Sequence, residues 1–126
     1  AWNLSRQAIN DDVVCGYQIP AGAQLSLSTF AVHRDPRWWS EPERFDPERF
    51  TPERAAGRPP YAYLPFGGGP RLCIGNMIAL TEAPLILAAI AQRYRLRLKP
   101  DHPVEPHPLV TLRTSHGLPV RLAPRA

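Results

Sequence analysis

Residues 66–75, Phe66-Gly67-Gly68-Gly69-Pro70-Arg71-Leu72-Cys73-Ile74-Gly75, place three glycines, a proline and one cysteine ahead of an apolar run reaching Tyr94. Three successive residues without Cβ can take dihedrals closed to other residues and lie against a large planar ligand, and Pro70 limits the slack. The run from Ile74 to Tyr94 predicts a helix. The Cys73 sulfur is therefore expected at a helix N-terminus, where unbonded N–H groups and the positive dipole end favour thiolate over thiol. A lone thiolate, with no His or Cys partner nearby, suits the axial position of a preformed cofactor better than a zinc site.

These ten residues resemble the haem-binding signature of the cytochromes P450, Phe-x-x-Gly-x-Arg-x-Cys-x-Gly, with Phe66, Gly69, Arg71, Cys73 and Gly75 at the fixed positions. A second landmark, Pro42-Glu43-Arg44-Phe45-Asp46-Pro47-Glu48-Arg49-Phe50, lies upstream on the expected side. The resemblance covers nearly the whole chain but only the final part of the family's domain. It is strong over residues 37–90 and softer at both ends.

The resemblance implies an α+β chain forming the C-terminal part of the mainly-α P450 fold, with residues 1–126 as the C-terminal haem-binding portion of one domain. Small β-hairpins, a proline-rich meander, the cysteine-ligand loop and one long buried helix are its expected parts. The implied cofactor is haem b, iron protoporphyrin IX, with Cys73 as the axial iron ligand. Phe66 then packs near the sulfur, Gly67, Gly69, Ile74 and Gly75 complete the loop, and N–H groups after Cys73 bond the thiolate. Arg71 and Arg6 are implied partners of the haem propionates. His33 either helps hold a propionate or satisfies a buried backbone carbonyl. Trp2, Leu4 and Val110 are implied to face the substrate pocket.

Arg49 matches the family's third member of an ionic cluster whose Glu and Arg belong to an upstream Glu-x-x-Arg helix. Glu41-Pro42-Glu43-Arg44 spells the same pattern, but Pro42 lies within it and no helical run surrounds it. It is a chance match. Arg49 is thus expected to lack its cluster partners within the chain, and a buried unpaired cation is costly, which points to a C-terminal piece.

Sixteen prolines in 126 residues far exceed the usual share of about 5%, so much of the chain is expected to be irregular yet packed. Pro42, Pro47, Pro52, Pro59 and Pro60 accompany Trp38, Trp39, Phe45 and Phe50, and aromatics in that number mark a packed meander rather than a disordered linker.

Elsewhere the periodicity is that of short strands. Ala1 to Arg6 is extended in character. Asp12 to Ser28 predicts a hairpin in which Pro20-Ala21-Gly22 turns Tyr17–Ile19 back onto Gln24–Ser28, with Cys15 a buried small hydrophobe. Thr29 to Val32 predicts one helical turn, stopped before Pro36. Asn76 to Tyr94 is apolar almost all round, which predicts a buried helix, bent or weakened at Pro84. Arg95–Lys99, Leu109–Arg113 and Leu118–Leu122 predict strands of a small terminal sheet.

Composition excludes several function classes. The net charge of +4, from fifteen Lys and Arg against eleven Asp and Glu, is spread along the chain without interleaved aromatics, so nucleic acid is not an expected partner. Thr81 and Glu82 interrupt the best apolar run, leaving no membrane segment in this portion, and no secretory leader is expected. His102, His107 and His116 fit no metal spacing.

The expected function, on the resemblance, is the haem-thiolate part of a monooxygenase that inserts one oxygen atom of O2 into a small hydrophobic substrate, inactive as an isolated fragment. A ferredoxin, flavodoxin-like protein or flavin reductase would supply electrons, attracted by cations such as Arg54, Arg58 or Arg93. A cytoplasmic setting is expected. The alternatives are a non-enzymatic fragment or interaction module that does not hold haem, and a secreted domain stapled by a Cys15–Cys73 disulfide.

Overall fold

The computed structural model describes residues 1–125 and divides into two compact units, the first Ala1–Gly68 and the second from Gly69 onward. In the first, β1 (Leu4–Gln7) pairs antiparallel with β4 (Gln24–Leu27), setting Leu4 opposite Leu27 and Arg6 opposite Leu25. Between them, β2 (Asp12–Val14) and β3 (Tyr17–Ile19) form their own hairpin.

The predicted pairing of Tyr17–Ile19 with Gln24–Ser28 is therefore corrected. The Ala23 N–H donates to the Pro20 carbonyl at 3.1 Å, so Pro20 is the first residue of that turn. Reciprocal bonds between Ala8 and the 22–23 backbone, Gly22 N–H to Ala8 O at 2.8 Å and Ala8 N–H to Ala23 O at 3.0 Å, extend the β1–β4 ladder. Strand β4 thus takes β1 as its partner. Cys15 is corrected too: with Gly16 it makes the two-residue β2–β3 loop at φ 51° and 85°, the signs of a type I′ turn, and it is exposed.

Helix α1 (Thr29–Val32) is the single turn predicted, capped where the Ser28 hydroxyl accepts the Ala31 N–H at 3.2 Å. The meander then uses its prolines as turn starters. Pro47, Pro52 and Pro60 open the 3-10 turn Pro47–Phe50, helix α2 (Pro52–Ala55) and the 3-10 turn Pro60–Ala62, positions where a missing N–H is harmless. The Asp46 carboxylate caps the first by accepting the Glu48 N–H at 3.1 Å, and pairs with Arg54 at 2.9 Å.

The core of this unit is built on Trp39, 3% exposed, whose indole N–H donates to the Ala62 carbonyl at 3.2 Å. Phe50 and Tyr63 each lie 5.8 Å from its ring and His33 6.2 Å, while the Arg58 guanidinium stacks over it at 4.1 Å. Trp39→Ala is expected to lower the unfolding free energy by about 3–5 kcal/mol, the usual range for an emptied aromatic site. Denaturant unfolding of the intact protein checks this, and a loss below about 1 kcal/mol would mean that the cluster closes over the gap.

In the second unit, helix α3 (Asn76–Arg93) runs directly into β5 (Tyr94–Leu98), which pairs antiparallel with β8 (Val120–Pro124). A separate hairpin joins β6 (Pro106–Pro108) to β7 (Leu112–Thr114). The expected single terminal sheet is thus two two-stranded ladders. Leu109 to Thr111, predicted to be strand, form the tip between β6 and β7.

Helix α3 passes through Pro84 without ending, and none of its residues is buried. The expected long helix is present, and its expected burial is not shown among the described residues. Apolar composition supplies the tendency to be covered, but burial needs a second layer, and among the described residues only the adjoining β5 packs against α3 to any extent. No helix of the described residues is long and apolar enough to cross a membrane.

Candidate functional site

In sequence, residues 66–68 of the motif fall in the first unit and residues 69–75 in the second. In the second, Gly69–Arg71 forms a 3-10 turn in which Leu72 N–H donates to Gly69 O at 3.0 Å. Gly69 has φ 66° with open space where a Cβ would lie, so glycine is needed there for its backbone and not to relieve crowding.

Cys73 follows, exposed and free, as is Cys15, so the disulfide alternative is not realised. The Asn76 N–H donates to the Cys73 carbonyl at 3.3 Å and the Ala79 N–H to Gly75 O at 3.0 Å. The cysteine therefore sits one turn before α3, which begins at Asn76 rather than at the expected Ile74. A Cβ on Gly75 would only touch the Cys73 sulfur, at 3.9 Å. Beyond the cysteine, the Met77 N–H donates to Asn76 Oδ1 at 2.6 Å. Arg71 and Ile74 are exposed.

In the first unit, Phe66 occupies the third position of a turn. Gly67 N–H donates to Leu64 O at 3.2 Å, with Pro65 second, where its fixed φ is favourable. The Leu64 N–H in turn donates to His33 Nε2 at 2.9 Å. Of the two roles expected for His33, the backbone contact is present with its sense reversed, since the imidazole accepts an amide proton and does not serve a carbonyl. Desolvation, then the Arg34 guanidinium, hold its pKa below the ordinary histidine value. Tyr61 is a contact the sequence did not signal: a Cβ on Gly68 would lie 2.8 Å from its Cε1, so only glycine admits the ring there.

Arg49, 9% exposed, has backbone partners in place of the ionic cluster. Its guanidinium donates to the carbonyls of Asp46 (3.0 Å), Ser40 (3.0 Å), Glu41 (3.3 Å) and Arg44 (2.8 Å). The cation is partnered by carbonyl dipoles of the loop it closes. Glu41 adopts φ 46° and its side chain pairs with Arg44 at 3.1 Å within a turn, so the look-alike Glu-x-x-Arg is not helical.

Leu4 and Arg6 share one face of β1, two residues apart, and the Arg6 guanidinium donates to Ser5 O at 2.8 Å. The Trp2 carbonyl accepts the Phe30 N–H at 3.1 Å. Val110, 91% exposed, stands at the tip of the β6–β7 hairpin. Of the cations considered for partner attraction, Arg54 is paired with Asp46, and Arg58 is stacked on Trp39 and bonded to the Arg49 carbonyl at 3.0 Å. Those two have structural duties. Among the described residues no group of three metal-ligating side chains gathers.

The family description of cytochrome P450 matches residues 1–118. The chain is 43% identical over 119 residues to a protein named cytochrome P450 132 in Mycobacterium tuberculosis, covering 94% of this chain and 26% of that protein. It is 41% identical over 122 residues to a beta-amyrin 28-monooxygenase of Saponaria officinalis, covering 96% and 24%. It is similar in structure to the haem domain of cytochrome P450DA, with a TM-score of 0.90 at 36% identity, covering 99% of this chain and 28% of that one. The chain belongs to the cytochrome P450 family. It spans about a quarter of the length of the curated relatives it matches.

Proposed function

We propose that this chain is the C-terminal, haem-ligating portion of a cytochrome P450 monooxygenase acting on a small hydrophobic molecule, and that Cys73 is the axial ligand of haem b. The observation that carries the reading is a free, exposed cysteine between a glycine turn and an 18-residue helix in a chain of this family. The residues fit the group: one soft donor is available, and the space beside Gly69 is open. When bound, haem supplies dioxygen activation and oxygen-atom transfer, which a thiolate ligand favours by electron donation.

The chain's own residues take the following roles. Cys73 presents its sulfur ahead of the first turn of α3. Phe66 shields the sulfur from water, while Gly67, Gly69, Ile74 and Gly75 shape the loop. Arg71 and Arg6 bind the propionate carboxylates. Trp2, Leu4 and Val110 border the substrate, and Arg49 holds the meander in shape. Electrons come from a ferredoxin or flavin reductase, drawn by unpaired surface cations such as Arg93. The apolar surface of α3 is covered by the remainder of the P450 fold.

Cysteine alkylation tests the ligand assignment in the full-length enzyme containing this chain. Iodoacetamide is expected to modify Cys15 in both haem-free and haem-replete protein, and Cys73 only in the haem-free form. Equal modification of Cys73 in the two forms would contradict the assignment.

A further inference from the structure

We propose that His33 is a positioning residue for the cysteine loop: as a neutral acceptor of the Leu64 N–H it fixes the turn that carries Phe66. The inference rests on the reading of that loop as the haem-thiolate loop and adds a residue that touches neither sulfur nor porphyrin.

Leu64 is held at both ends. Its N–H goes to His33 Nε2 at 2.9 Å and its carbonyl receives Gly67 N–H at 3.2 Å, so one side-chain nitrogen fixes the register of the turn around Pro65 and Phe66. His33 is itself immobilised. Its backbone N–H donates to Thr29 O at 2.9 Å, at the end of α1. Its ring packs against Tyr63 at 5.1 Å and Trp39 at 6.2 Å. The link spans 31 residues, joining α1 to the two residues ahead of the motif's first fixed position.

The bond assigns the tautomer, because only an unprotonated ring nitrogen accepts, and the proton therefore resides on Nδ1. The surroundings keep the ring neutral. Burial disfavours the charged form, and the Arg34 guanidinium that bears on it is positive. The other titratable group against the ring is the phenol of Tyr63. Protonation of Nε2 converts the acceptor to a donor facing a donor and releases Leu64.

The test uses the full-length holoenzyme, with Leu64 amide exchange as a local readout and the reduced carbon monoxide spectrum as a readout of thiolate ligation. His33→Leu is expected to speed Leu64 exchange by about tenfold, the loss of one hydrogen bond, and to convert part of the red-shifted thiolate band to the unshifted form. His33→Gln, whose amide oxygen reaches the same place, should restore both. In the wild type the red-shifted fraction should fall as pH drops below about 6.5, and this step should be absent from His33→Gln. Unchanged Leu64 exchange in His33→Leu, or an unchanged spectrum despite faster exchange, overturns the inference while leaving the Cys73 assignment intact. A wild-type enzyme without the red-shifted band overturns both.

Discussion

Arg49→Ala is expected to destabilise the protein by about 3–5 kcal/mol, because it removes a buried guanidinium and strands the carbonyls that it serves. Glu41 O and Asp46 O also accept backbone N–H groups, from Arg44 at 2.9 Å and Arg49 at 3.4 Å. For Ser40 O and Arg44 O the guanidinium is the partner. The effect should spread, since Arg58 donates to the Arg49 carbonyl and stacks on Trp39 and Phe50. Arg49→Lys should recover little, as three donors on one nitrogen cannot span carbonyls that a planar fork reaches in four directions. Denaturant unfolding of the intact enzyme gives the number. A loss below about 1 kcal/mol in Arg49→Ala would show that water or a rearranged loop satisfies those carbonyls equally well.

The sequence made some of this architecture legible and concealed the rest for identifiable reasons. The turn at Thr29–Val32, the extended pieces and the long helix after Cys73 follow local signals, namely a proline stop, alternation and a largely apolar run. Strand pairing did not follow. Pro20-Ala21-Gly22 has the composition of a hairpin turn, yet β4 pairs with β1, because ladder choice depends on which extended segment lies alongside. The type I′ turn at Cys15-Gly16 was hidden by a cysteine where asparagine is the usual signal.

The burial expected of α3 is not shown for a different reason: apolar composition states what a helix needs, and the layer that meets the need is not among the described residues. The site divides in the same way. Residues 66–75 are contiguous, so their pattern is visible in one dimension. The His33–Leu64 bond, the Tyr61 ring over Gly68 and the carbonyl cage of Arg49 join side chains to distant or irregular backbone, where no residue-type pattern announces them.

Cys73→Ser carries the largest functional effect. Serine keeps the size and the position, but its hydroxyl is a hard, weak donor, whereas the cysteine sulfur is a soft one. The loop and α3 should form as before, since the 73–76 turn uses only the backbone carbonyl of residue 73. Haem-thiolate chemistry should be lost without loss of folding, and Cys15→Ser, in the exposed β2–β3 turn, should change neither. The deciding measurement is the carbon monoxide difference spectrum of the reduced full-length enzyme beside its Cys73→Ser variant. The account predicts a red-shifted thiolate-type Soret band in the first and none in the second; a haem-replete wild type without that band, or a variant that retains it, would contradict the role given to Cys73.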